Sequence, residues 1–208
     1  MSNNPLIRFS PLILSFLAIA ATPRVSTDIG TLTVQKDPSV FAQNIGVGFP
    51  DQPLGAFTVT VRHEPILIRT LTFTLNVNNV NGDNDDGTAI DQIKLIDGNG
   101  QVVAGPMDGS AQTITFVGSF IFPQGTGSYK LVGMPAASLD SGDTVMVSTK
   151  PSTDWLTALG TISGEMIIPA PDTTVFSNTM TAKGGKLTIS VPPIPIPQTV
   201  LSGLQGFT

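Results

Sequence analysis

Apolar and polar residues alternate one by one along most of this chain, and a period of two admits little besides β-strands with one buried face. Phe57, Val59 and Val61 hold one parity, while Thr58, Thr60 and Arg62 hold the other. Leu71, Phe73, Leu75 and Val77 alternate with Thr70, Thr72, Thr74 and Asn76. Ile114, Phe116, Phe120 and Phe122 share a parity around Gly118, and Val145 with Val147 repeats the pattern. Turn chemistry separates the runs: Asn81-Gly82, Asp86-Gly87, Asp108-Gly109, Ser141-Gly142-Asp143 and Gly184-Gly185. Ile93 to Ala104 reads as a hairpin around Asp97-Gly98-Asn99-Gly100. No stretch carries a capped apolar stripe of helical period. Ser152 to Leu159 is expected to form a helical turn or two, with Ser152 or Thr153 as N-cap. These features predict an all-β chain, an antiparallel sandwich of about eight to ten strands.

The opening of this pattern occurs twice. At an offset of 155, Gly30 falls on Gly185, Leu32 on Leu187, Thr33 on Thr188, Val34 on Ile189, Pro38 on Pro193, Gln43 on Gln198, Ile45 on Val200 and Gly48 on Gly203. After a gap of five residues the match resumes, with Leu54-Gly55-Ala56-Phe57-Thr58 over Leu204-Gln205-Gly206-Phe207-Thr208. A unit of this length is domain-sized rather than solenoid-sized. The expected layout is one domain over 29–182 and the first strands of a second copy over 183–208. Proline cannot donate to a strand ladder, so Lys36-Asp37-Pro38-Ser39 is expected to end the first strand and pass the chain from one sheet to the other.

Composition narrows the function classes. Charged residues make up 12% of the chain and its net charge is −5, which excludes the clustered positive surface that nucleic acid or anionic lipid requires. The chain has no cysteine, so it has neither disulfides nor thiolate metal sites. Met1 to Ala20 places Arg8 before an apolar run that ends in Ala18-Ile19-Ala20. This is the pattern of a cleaved export signal and is too short to span a bilayer. Residues 21–28 read as a linker. The mature chain is therefore expected outside the cell, with no membrane span.

Gly30 to Lys150 resembles an immunoglobulin-like sandwich domain that occurs in tandem in long bacterial cell-surface, surface-layer and adhesin-type proteins. The resemblance rests on GTLTV, on FAQNI (or PQTVL in the second copy), on LGAFTVTV, on EPILIRTLTFTL followed by AIDQIKLIDGNGQVV, and on LDSGDTVMVS. It implies an immunoglobulin-like fold and a non-enzymatic structural or adhesive role. Its partners would be neighbouring domains or subunits of the same protein, with a cell-surface or glycan ligand also open. An alternative is a filament subunit in which 183–208 is a donor strand, with Leu187, Ile189 and Val191 filling pockets of the next subunit.

Few residues carry chemistry. Asn78 to Asp91 is the one dense polar cluster, and Asp83, Asp85, Asp86 and Asp91 offer hard oxygen ligands suited to calcium. An acidic, solvated connection between strands explains the same residues. His63 is the single histidine, and no nucleophile motif accompanies it. Glu64 and Glu165 are the only glutamates, and neither sits among aromatics as a glycosidase pair would. Trp155 reads as a plug at one end of the sandwich or, in a carbohydrate-binding module, as a sugar platform.

Overall fold

A computed structural model describes residues 28–184. The expected export segment 1–20, the expected linker up to residue 27, and the expected second copy from residue 185 with Leu187, Ile189 and Val191 lie outside the described residues. Among the described residues the chain is all-β, and its strands pair antiparallel with one exception. One sheet contains, in spatial order, β1 (Thr31–Lys36), β3 (Gln52–Arg62), β8 (Gly125–Pro135), β5 (Ile90–Asp97) and β6 (Val102–Met107). The other is built on β4 (Ile66–Asn78), which pairs with β7 (Thr113–Phe122), β9 (Thr144–Thr149), β10 (Trp155–Leu156) and β11 (Ala158–Gly160). Beyond them, β12 (Met166–Ile167) pairs with β11, and β13 (Val175–Phe176) and β14 (Met180–Lys183) pair with β9. The exception is β2 (Asn44–Gly46), which runs parallel to β14. No helix among the described residues is long and apolar enough to cross a membrane.

The alternation in the sequence becomes a shared core. Phe57, Val59 and Val61 are buried on β3, Leu71, Phe73 and Leu75 on β4, and Ile114, Phe116, Phe120 and Phe122 on β7. Aromatic rings join the two sheets across it: Phe57 lies 5.7 Å from Phe73, and Phe122 lies 5.0 Å from Tyr129. The parity of β7 survives a bulge opposite Ile68–Thr70, where two residues of one strand face a longer stretch of the other. The Asp97–Gly100 hairpin forms as expected. The Asp97 carboxylate accepts from the amides of Asn99 and Gln101, and Gly100 takes a φ of 81°.

The chain does change sheets at Pro38, between β1 in the first sheet and β2 in the second. Asp37 fixes the crossing. Its buried carboxylate accepts from the Ser39 amide at 2.8 Å, from the Ser39 hydroxyl at 2.6 Å, and from the Ser128 hydroxyl of β8. These bonds, with help from Lys130, outweigh the desolvation that opposes them and hold the carboxyl below its usual range.

Two details depart from the sequence reading. The described residues form fourteen strands rather than the eight to ten expected, because those of two or three residues, β2 and β10 to β13, are too short to show alternation. The helical turn is α1 (Pro151–Asp154), and it is capped by the backbone of Lys150 rather than by Ser152 or Thr153. Pro151 at the first helical position starts the turn one step earlier. Ser152 instead donates to Asp172 at 2.6 Å.

Phe73 is fully buried and touches the rings of Phe57, Phe116 and Trp155. Phe73→Ala should cost about 3–5 kcal/mol in chemical denaturation. A loss below about 1 kcal/mol would show that the two sheets do not depend on this ring stack.

Candidate functional site: a carboxylate cluster beside β14

The register of β4 with β9 sets Asn78 opposite Thr144, so the connection after β4 lies against the turn before β9. Asp143 closes that contact. It is fully buried, and its two carboxylate oxygens accept from the amides of Val80 at 2.9 Å and Asp140 at 2.7 Å. Asn79 curls the connection by donating to the carbonyls of Asp83 at 3.1 Å and Asp85 at 2.8 Å. One oxygen each from Asp83, Asp85 and Asp143 then falls within 4.8 Å of the others. Asp140 stands nearby and accepts from the Asn81 amide group at 2.7 Å. The cluster abuts β14: Gly142 donates to the carbonyl of Ala182, and Ala182 donates to the carbonyl of Asp143.

The fold brings together two of the four calcium ligands expected from the sequence. Asp83 and Asp85 belong to the cluster. Asp86 does not, because its carboxylate accepts from the Thr88 amide at 2.8 Å and hydroxyl at 2.6 Å and caps a short 3-10 turn, Gly87–Ala89. The Thr88 hydroxyl, then its amide, lowers the carboxyl of Asp86. Asp91 does not either, because it sits on β5 opposite Met134. The third member, Asp143, lies about sixty residues further along the chain. In the sequence Ser141-Gly142-Asp143 shows only turn chemistry, and strand pairing alone brings it to the site.

Three carboxylates facing one another are poorly balanced. Loss of surrounding water, then the charges of Asp85, Asp143 and Asp140, raise the carboxyl of Asp83. Asn79 Oδ1 is buried beside them with no hydrogen-bond partner. The donor set is all hard oxygen, which suits calcium and does not suit zinc or copper.

The other chemical residues have structural roles. Trp155 is 2% exposed, stacks on Phe122, meets Phe73 edge-on and donates to the Thr149 hydroxyl at 3.0 Å. It plugs the core and offers no face to a sugar. His63 is exposed at a left-handed position, 3.6 Å from Asp28. Glu64 is a clasp at the start of the fold. It accepts from the amides of Gly30 at 3.2 Å, Ile162 at 2.7 Å and Ser163 at 2.9 Å, and from the Ser163 hydroxyl at 2.5 Å.

The Ser163 hydroxyl and amide, followed by the Ile162 and Gly30 amides, lower the Glu64 carboxyl from 4.5 to about 2. A depressed folded value gives stability that is present above the unfolded value and lost as pH falls through the folded one. The melting temperature should therefore drop between about pH 4.5 and pH 2, and Glu64→Gln should flatten that part of the profile. An unchanged slope in the variant would remove Glu64 from the account of acid sensitivity. Comparison of the chain with family models, curated proteins and solved structures finds no match in any of the three.

Proposed function

We propose that the chain is an exported, non-enzymatic structural module, an immunoglobulin-like sandwich that acts as a spacer or adhesive unit in a tandem array at a cell surface. The carrying observation is where the sequence repeat falls on the fold. The first-copy residues Leu32, Val34, Ile45, Leu54 and Phe57 are all buried, and Leu187, Ile189, Val200, Leu204 and Phe207 match them. The five residues missing from the second copy, Phe49 to Pro53, form the turn between β2 and β3 with the first two residues of β3. A chance resemblance has no reason to keep core positions and to place its gap at a turn. The repeat of β1 restarts at Lys186, three residues past the end of β14.

The topology suits a load-bearing spacer. The parallel β2–β14 pair joins the first part of the chain to the last, so tension on the two ends loads it in shear. The alternative, strand donation by 183–208, finds less support. The place of β1 is filled by β1 itself, which pairs with β3 over six positions and is bridged by Ala170 on its other side. A donated copy would have to exchange with β1.

Light scattering at micromolar concentration should report monomers for the full chain and for a chain ending at Gly184. Polymers formed only by the longer chain would replace this reading with strand donation.

The carboxylate cluster gives the module a calcium site, supported by the unpartnered Asn79 Oδ1 and the uncompensated charge at Asp83. Calcium should raise the melting temperature near pH 7, where the carboxylates repel, and much less at pH 3, where Asp83 is protonated. Asp85→Asn should remove the effect. Equal melting with calcium and with chelator would exclude the site.

A further inference from the structure

The two ends of the module carry exposed apolar residues that its own core does not use. β3 spans eleven residues, roughly 35 Å, and separates an N-terminal pole from a C-terminal pole. At the N-terminal pole, Thr31 pairs with Arg62, Ile66 pairs with Phe122, and Glu64 draws in Gly30 and Ile162. At the C-terminal pole, Val47 donates to the Lys183 carbonyl and Gly48 to that of Pro135.

Met166 and Ile168 at the N-terminal pole are 73% and 77% exposed, and Ile29 and Ile162 beside them are exposed as well. With Ile29–Thr33, the stretch Met166–Ala170 lines a cleft of about 640 Å³. At the C-terminal pole, Phe49 is 64% exposed above Gly46, and Val80 is 55% exposed against Gly142. Phe49 belongs to the five residues that the second copy lacks.

We propose that these poles are complementary docking surfaces for copies of the module, the N-terminal pole of one copy seating on the C-terminal pole of the copy before it. The inference rests on the tandem reading, which names the occupant. Three Cα steps separate Lys183 from Lys186, at most about 11 Å, so a second copy begins within that reach of the C-terminal pole. Water is driven from both apolar patches by that contact. The contact joins different surfaces, so separate molecules associate head to tail and do not close.

The test takes the full chain to concentrations above the micromolar range in which it is expected to be monomeric, followed by NMR shifts and sedimentation. Expected are concentration-dependent shifts at both poles together, including Phe49, Val80, Met166 and Ile168. Ile168→Ser and Phe49→Ser change exposed positions and leave the melting temperature in place, and each abolishes self-association. Mixing the two variants restores a single junction, because each keeps the surface that the other lacks. Shifts at one pole only, or variants that still self-associate, would overturn the docking while leaving the tandem reading standing. A chain ending at Gly184 should associate as the full chain does. Association that requires 185–208 would instead overturn the tandem reading in favour of strand exchange.

Discussion

Burial of aromatic and branched side chains between the two sheets is the contribution on which the remaining structure depends. The chain has no disulfide to constrain its unfolded state, and the three ion pairs among the described residues each include an exposed partner. Exposed pairs of that kind contribute about 0–1 kcal/mol. A buried Phe, Leu or Ile contributes about 1.5–3 kcal/mol, and more than thirty apolar residues lie in this core. The rings of Phe57, Phe73, Phe116, Phe122, Tyr129 and Trp155 form one connected group that reaches both sheets.

Where the chain cannot pair as strands, buried carboxylates organise it. Asp37 holds the crossing between sheets, Glu64 holds the chain's first described residues to the 160–163 turn, and Asp143 holds the connection after β4. In each case a short acidic side chain collects amide or hydroxyl donors that would otherwise be unsatisfied. A chain with so few charges places several of them inside, which ties its loops to the core and its stability to pH. The cluster of Asp83, Asp85 and Asp143 differs, because there the acids meet one another as well as donors.

The long strands, the Asp97 hairpin and the switch at Pro38 were legible because each depends on local chemistry: alternation, turn residues and the missing proline amide. The core residues followed from the same parity. The short strands β10 to β13 were not legible, because two residues carry no period and their pairing is set by β4 and β9. Two of the three aspartates of the candidate metal site were legible, in one polar stretch. Asp143 was not, because its place beside them depends on the β4–β9 register, and Asp86 reads alike in the sequence as a cap and as a ligand because both use the same side chain.

The sequence by itself determined an all-β chain, the parity of its core and the absence of thiol chemistry, since each is a matter of residue type and spacing. Tertiary structure decided which strands neighbour one another, that Trp155 faces inward, and that Glu64 clasps Gly30 to the 160–163 turn. It also decided which aspartates meet and which apolar residues remain outside at the two poles. Those outcomes depend on contacts between residues far apart in the chain, and only the folded arrangement of both sheets fixes them.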